Sequence, residues 1–144
     1  MRKTTFHSIE IRKLMCLAVA ASVASACEST APMPLTGTYI ATTFVVTETG
    51  QAPVDVLAAG GSMAITIAAN NTTSGSLVIP AALTGSSDFV IDMTGMALRN
   101  GNAVQFDQTG DSFVRDATWA LEGNTLATHF TSSGFSLHIV LTRE

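Results

Sequence analysis

The stretch that decides the fold is residues 88–143, which read DFVIDMTGMALRNGNAVQFDQTGDSFVRDATWALEGNTLATHFTSSGFSLHIVLTR. Four turn signals divide it at near-regular intervals: Asn100-Gly101, Thr109-Gly110, Gly123-Asn124 and Ser133-Gly134. Glycine and asparagine tolerate the positive φ that tight hairpins need, so each pair predicts a turn between two antiparallel strands. The stretch therefore predicts five strands in a simple meander.

Alternation of apolar side chains supports the same meander. Side chains of a strand point alternately to two faces, so a slip of one residue at any hairpin would invert the pattern. The predicted facing pairs are Ala97–Val104, Phe106–Phe113, Leu121–Leu126 and Phe130–Leu137. In this register one face collects Phe89, Ile91, Met93, Val104, Phe106, Phe113, Trp119, Leu121, Leu126, Phe130, Leu137, Ile139 and Leu141.

Three further strands precede the meander. Residues 35–47 are rich in Thr, Val, Tyr and Phe and predict a strand, although apolar groups on both faces leave its orientation open. Residues 63–68 alternate cleanly, and residues 76–79 predict a short strand that ends at Pro80. A long connection, residues 48–62, separates the first two of these strands, with a short helical turn predicted inside it.

Eight strands in up-and-down order must hide their edges. They can do so by closing into a barrel or by folding into a two-sheet sandwich. Short hairpins and a single apolar face favour the barrel. The sequence therefore predicts an all-β fold, an eight-stranded antiparallel up-and-down barrel over residues 35–144.

The N-terminus predicts an export signal over residues 1–26. Basic residues precede a short apolar segment, residues 14–23, which is too short to span a bilayer. Ala24-Ser25-Ala26 has the small side chains typical of a cleavage site. Cleavage there removes Cys16 and leaves Cys27 as the first residue and only cysteine of the remaining 118 residues.

A lone thiol in an exported protein needs an explanation. Residues 23–27, Val-Ala-Ser-Ala-Cys, resemble the lipobox of bacterial lipoproteins, in which the cysteine is lipidated and becomes the new N-terminus. The resemblance implies attachment to a membrane through Cys27, with residues 27–34 as a tether. Glu28 is not the aspartate of the inner-membrane retention signal, so the outer membrane of the cell envelope is expected by analogy. The alternative is ordinary secretion with an unmodified Cys27.

A second resemblance concerns the barrel. Gly37-Thr38-Tyr39 resembles the Gly-x-Trp signature of lipocalins, and residues 48–62 lie where lipocalins carry a large loop across the mouth. Arg143 matches the arginine near the end of their last strand. The resemblance implies a lipocalin-like barrel in which Tyr39 and Arg143 plug one end, a cation over an aromatic ring. The alternative is two unrelated residues at strand ends.

The lipocalin resemblance implies a module that binds or carries a small apolar ligand inside the barrel. The inward residues expected to contact it are Met93, Phe106, Phe113, Trp119 and Phe130. Arg115, predicted to face inward near the mouth, is a candidate for holding a ligand carboxylate; alternatively it turns outward to pair with Asp111 or Asp116. The alternative function is a packed structural or interaction lipoprotein of the envelope without an internal ligand.

Other functional classes are not supported. Three arginines against ten acidic residues in the exported part give a net charge of −7, which disfavours nucleic acid as a partner. There is no nucleophile beside a base and no inward pair of carboxylates, so we expect no enzyme activity and no cofactor. His129 and His138 face each other on the outer surface and form a weak candidate metal pair, since two ligands without a third seldom suffice.

Overall fold

The structure, a computed structural model, describes residues 33–110 and 112–144. The described residues form ten strands and two four-residue helices. The strands are β1 (Gly37–Glu48), β2 (Val54–Asp55), β3 (Ser62–Ile67), β4 (Thr72–Ile79), β5 (Phe89–Asp92), β6 (Gly95–Asn100), β7 (Ala103–Gln108), β8 (Trp119–Glu122), β9 (Thr125–Ser132) and β10 (Phe135–Arg143). The helices are α1 (Ala81–Thr84) and α2 (Phe113–Asp116). Neither of these described helices has the length and apolar character needed to cross a bilayer.

Eight of the strands close into an antiparallel barrel. Around the wall the order is β1, β3, β4, β6, β7, β8, β9 and β10, and β10 pairs back with β1. The closing ladder runs from Tyr39 opposite Arg143 to Glu48 opposite Phe135. The two remaining strands add local pairs, β2 to β1 and β5 to β4. The up-and-down barrel predicted from the sequence is confirmed, and the two-sheet sandwich is excluded.

β5 and β6 are two halves of one strand. Ile91 faces Leu77 and Gly95 faces Thr73 in the same antiparallel register along β4. The break falls at Thr94, whose backbone N–H and hydroxyl both donate to Asp92 Oδ1, at 2.7 and 2.5 Å. This local turn bends the strand without changing its register, so the single strand predicted here is present with one interruption.

Three of the four predicted hairpins are present. Gly123-Asn124 and Ser133-Gly134 give the predicted register, with Leu121 opposite Leu126 and Leu137 opposite Phe130. The turn at Asn100-Gly101 lies one residue further along, so Ala97 faces Phe106 and not Val104. This displacement of two residues along the partner strand keeps every side chain on its predicted face.

The hairpin predicted at Thr109-Gly110 is wrong. Val104 pairs with Trp119, and Phe113 lies in α2 and not opposite Phe106. The helical turn buries Val114 completely, whereas a strand would have pointed it outward, as the alternation predicted. It also presents the Val114 carbonyl to the indole N–H of Trp119, at 3.4 Å, which gives the buried ring a hydrogen-bond partner.

A β-bulge at Thr42 explains why apolar residues occupy both faces of β1. The register against β10 shifts between Ala41 and Thr43, so the inward positions change from odd to even numbers. Tyr39 and Phe44, five positions apart, therefore both point inward and are completely buried. An extra residue in one strand has this effect because it occupies a place that the partner strand does not match.

The barrel interior holds the apolar core. Ten of the thirteen residues predicted to face inward along the meander are buried, and Phe113 and Phe130 are half-buried against them. Phe89, the first residue of β5, is 48% exposed, so it does not belong to the buried core in which the alternation placed it. The largest fully buried side chains are those of Trp119, Tyr39, Phe44, Phe106, Met63, Ile65, Ile67, Leu77, Met93, Leu126, Ile139 and Leu141.

The pairing defines two ends of the barrel. At the lower end β1 begins and β10 ends, beside the turns at 101–102 and 123–124. The upper end carries the connections 49–61, 80–88 and 109–118 and the turn at 133–134. Residues 48–62, which the lipocalin resemblance placed across the mouth, thus share the upper end with three other connections. Two local predictions are wrong. The strand predicted over residues 76–79 already begins at Thr72, so Gly75 lies within β4. The first part of the helical turn predicted within residues 48–62 is instead the short strand β2.

Candidate ligand-binding site

The middle of the barrel is filled by side chains. Met93, Phe106 and Trp119, three of the predicted ligand contacts, are 0–1% exposed. The rings of Phe106 and Trp119 meet edge to face with their centroids 5.8 Å apart. A side chain that lined a void large enough for water would retain accessible surface, so a ligand would reach these three only by displacing the core. Their role as ligand contacts stays a prediction.

Aromatic rings cover this core at the upper end. Phe113 of α2 lies 6.2 Å from Phe44 and 6.5 Å from Phe130, measured between ring centroids. Phe130 lies 6.2 Å from Phe135. Phe113 and Phe130 were predicted to contact a ligand, and they do lie at the mouth, where both are half-buried.

Arg115 lies on the outside of α2 and does not face the interior. Its Nε is 3.6 Å from Asp116 Oδ1, and the two side chains are 40% and 57% exposed. The helical turn sends Arg115 outward because it replaces the strand on which the inward orientation depended. Of the two alternatives from the sequence, pairing with Asp116 is the one that the structure contains.

A cleft opens at the upper end, between β1, β2 and α1, with a volume of about 580 Å³. Its floor is formed by half-buried Val46 and Ile79, and completely buried Val56 lies beneath them. Its rims carry Val54 and Leu83, which are 41% and 37% exposed. The volume lies within the range of about 300–1,000 Å³ that is typical of small-molecule sites.

Local hydrogen bonds fix the wall of the cleft formed by residues 54–61. The Val56 N–H donates to the Phe44 carbonyl at 2.8 Å, which ties this connection to β1. Asp55 Oδ1 accepts from the N–H groups of Leu57 and Ala58, at 2.9 and 3.1 Å. A Cβ at Gly61 would lie 2.5 Å from Val56 Cγ1, so only glycine lets the chain pass so close to the floor.

Hydrogen bonds also fix the opposite wall of the cleft, which α1 forms. The Ala81 N–H at the start of α1 donates to Asp88 Oδ1 at 2.8 Å, and the Thr84 hydroxyl donates to the Ser87 carbonyl at 2.6 Å. These bonds hold Leu83 at the rim. The sequence indicated that residues 48–62 lie at the mouth but not which side chains line the cleft, because apolar residues in irregular connections carry no periodic signal.

The lower end contains Tyr39 and Arg143, which are direct cross-strand partners. The Arg143 guanidinium donates to the carbonyls of Pro34 and Thr36, at 2.8 and 3.4 Å, and to Asn124 Oδ1 at 2.5 Å. A Cβ at Gly37 would lie 2.6 Å from Arg143 Cδ, so the arginine stem lies directly against this glycine.

The side chain of Tyr39 is held by the segment that precedes β1. Its hydroxyl donates to the Leu35 carbonyl at 3.0 Å. Burial raises the pKa of Tyr39 above its ordinary value, and the positive charge of Arg143 opposes this shift. The two side chains thus occupy the end of the barrel where the sequence placed a plug, and that role stays a prediction.

His129 and His138 face each other on the outer surface, with ring centroids 4.0 Å apart and planes 9° apart. In such parallel rings the nitrogen lone pairs lie in separate planes and do not converge on one point. Within residues 33–110 and 112–144, no group of three or more His, Cys, Asp or Glu side chains is arranged to hold a metal ion. The weak metal prediction for this pair is untested.

The predicted export signal, residues 1–26, and the lipidation site Cys27 lie outside the described residues. The same holds for most of the predicted tether, which joins the described chain at Met33 and Pro34.

Comparisons with protein-family models, with curated proteins and with solved structures find no match to this chain.

Proposed function

We propose that this protein is an exported, lipid-anchored module of the cell envelope, lipocalin-like in layout, that binds a small apolar ligand at the upper end of its barrel. The observation that supports binding is the cleft of about 580 Å³, whose floor and rims are mostly apolar side chains. Hydrogen bonds hold both walls of the cleft, and fixed walls favour binding because less conformational entropy is lost when a ligand enters.

The anchor part of the proposal depends on Cys27 and on the direction of the chain. Pro34 and Thr36 bond to Arg143 at the lower end, so the described chain starts at the end opposite the cleft. The outer membrane is the location that we propose, by analogy with other lipoproteins.

A direct test uses two leucines on different parts of the surface. Leu83 is 37% exposed at the cleft rim, and Leu98 is 52% exposed on β6 near the lower end. We expect Leu83→Asp to weaken binding of the neutral apolar dye N-phenyl-1-naphthylamine about tenfold or more, because it puts a charge beside the apolar floor. The matched control, Leu98→Asp, should leave the dye affinity unchanged. Equal dye affinity in both variants would refute the cleft as the site.

The anchor is tested separately. Cys27→Ser should move the protein from the membrane fraction to the soluble fraction of lysed cells if the lipid holds it there. Unchanged partition would remove the lipid anchor from the proposal and leave the cleft unaffected.

The filled core favours a second candidate, a packed envelope protein that contacts a partner and holds no ligand. Native mass spectrometry of gently purified protein, followed by lipid extraction, separates the two. A co-purifying small molecule supports the first candidate, and its absence, together with dye binding unaffected at Leu83, supports the second.

A further inference from the structure

The charge on the lining of the cleft is negative and lies at one edge. Among its described lining residues, Glu48 alone is charged, and Gln51 and Thr84 supply the polar groups. Glu48 ends β1 and is exposed at the edge of the cleft, while Val46, two residues earlier, belongs to the apolar floor. A ligand lying on that floor would therefore have one end close to a carboxylate.

The other acids of the two walls are already engaged. The Asp55 carboxylate accepts from two backbone N–H groups, and the Asp88 carboxylate accepts from the Ala81 N–H. By contrast, no group in the part of the chain that the structure describes donates a hydrogen bond to the Glu48 carboxylate. Glu48 is thus the acid of this cleft whose acceptor oxygens are available to a ligand.

No cation of the described chain lines the cleft. Arg99 donates to the Gly101 carbonyl in the lower turn, and Arg143 lies at the lower end as well. Arg115 lies on α2 beside Asp116. A carboxylate ligand would therefore meet like charge at Glu48 and no partner, which argues against the fatty-acid type of ligand that an inward Arg115 would have favoured.

We propose that the ligand class of the cleft is a small cationic amphiphile, with its apolar body on Val46 and Ile79 and its ammonium group beside Glu48. This inference rests on the proposed function, because it assumes that the cleft binds a ligand. Apolar contact supplies most of the affinity, and the carboxylate supplies the preference for positive charge. An exposed ion pair contributes modestly, so the preference amounts to about two- to fivefold in affinity.

Three probes with the same chain length test the preference: octyltrimethylammonium, octanol and octanoate. Their binding to the full-length protein is followed by ¹⁵N NMR chemical shifts of the cleft residues at low ionic strength, where ion pairs are least screened. We expect the ammonium to bind about two to five times more tightly than octanol, and octanoate to bind more weakly than octanol.

Glu48→Gln removes the charge and keeps the shape of the side chain. It should lower the ammonium affinity to that of octanol and leave the octanol affinity unchanged. Glu122→Gln is the matched control, because Glu122 is an exposed glutamate at the end of β8 near the lower end, and it should change neither affinity. Because Glu48 is exposed at a strand end, the variant should fold as the natural protein does, and the dispersion of the NMR spectrum checks this directly.

The outcomes separate the two proposals. If octanol and octanoate shift the cleft residues with the same affinity as the ammonium, the charge preference is wrong while the apolar cleft stands. If the ammonium preference persists in Glu48→Gln, the assignment to Glu48 is wrong. If none of the three probes shifts cleft residues, both the preference and the proposed function are refuted.

Discussion

Arg143 shows at the scale of one residue how the lower end of the barrel is held. Its guanidinium ties the end of β10 to two other parts of the chain: the segment before β1, through Pro34 and Thr36, and the turn at Asn124. Two nitrogens of one planar group, Nη1 and Nη2, reach these three acceptors, a geometry that the single ammonium nitrogen of lysine does not reproduce. The sequence predicted the adjacency of Arg143 and Tyr39 but not these acceptors, because two of them are backbone carbonyls, which leave no trace in residue type.

Replacing this arginine should destabilise the fold. We expect Arg143→Ala to lower the free energy of unfolding by about 1–3 kcal/mol, since hydrogen bonds to a charged group are lost and two carbonyls lose a donor. Urea unfolding followed by Trp119 fluorescence measures the change. Arg115→Ala is the matched control, and its exposed ion pair should contribute less than about 1 kcal/mol. Equal midpoints for the two variants would contradict the structural role of Arg143.

Tyr39 makes stability depend on alkaline pH. In the unfolded chain its hydroxyl ionises near the ordinary value of about 10, whereas burial raises its pKa in the folded protein. The stability contributed by neutral Tyr39 is therefore fully present below about pH 10 and is lost as the pH rises through the raised folded-state pKa.

Two measurements check this dependence. The chain has one tyrosine, so tyrosinate absorbance reports Tyr39 alone, and its midpoint in the folded protein should lie above that of the urea-unfolded protein. The urea midpoint should also fall between pH 9 and pH 11 by more in the natural protein than in Tyr39→Phe. A folded-state midpoint at or below the unfolded one would contradict the prediction.

Among the secondary-structure elements, strands with regular apolar alternation and tight turns could be predicted from the sequence. Elements whose backbone departs from regular alternation or from tight turns could not. The last two hairpins have the predicted register because Gly-Asn and Ser-Gly fix the turn and both faces alternate. α2 was missed because its four residues are too few to show a helical period. The bulge in β1 was missed because an added residue makes both faces look apolar.

Deleting the bulged residue tests its role. Without Thr42, either Phe44 and Val46 point outward or β10 slips by one position, and both break the core. We expect the deletion to destabilise the protein by more than about 3 kcal/mol, comparable to removing a buried aromatic ring. Thr42→Ala is the control: it removes exposed hydroxyl contacts to Val140 and Thr142 and should cost less than about 1 kcal/mol. If the deletion unfolds at the same urea concentration as the control, the bulge does not set the register.

At the scale of the whole molecule, the closed wall should govern local stability. β1 and β10 pair with each other along nearly their full lengths and each has another neighbour, so their amides should exchange with solvent only on global unfolding. α1 has no buried residue and should open far more readily. Native-state hydrogen exchange measures both, and protection of α1 equal to that of β1 would contradict this order.

The whole-molecule architecture was more predictable than the site within it. Closure of the barrel follows from eight strands that share one apolar face. This property depends on many residues, so the wrong predictions at Phe89 and Thr109 did not change the predicted architecture. The cleft depends instead on a few side chains in irregular connections, such as Val54 and Leu83, whose positions are set by tertiary contacts alone.

The ladder between β1 and β10 also brings the start and the end of the described barrel to the same rim. The Glu144 N–H donates to the Thr38 carbonyl at 3.0 Å, and Arg143 touches Pro34. A short peptide could join these two ends covalently, and new ends could be cut at the turn after Asn100 without crossing the wall. The barrel is therefore a natural candidate for circular permutation, in which the order of strands along the chain changes while their order in space does not.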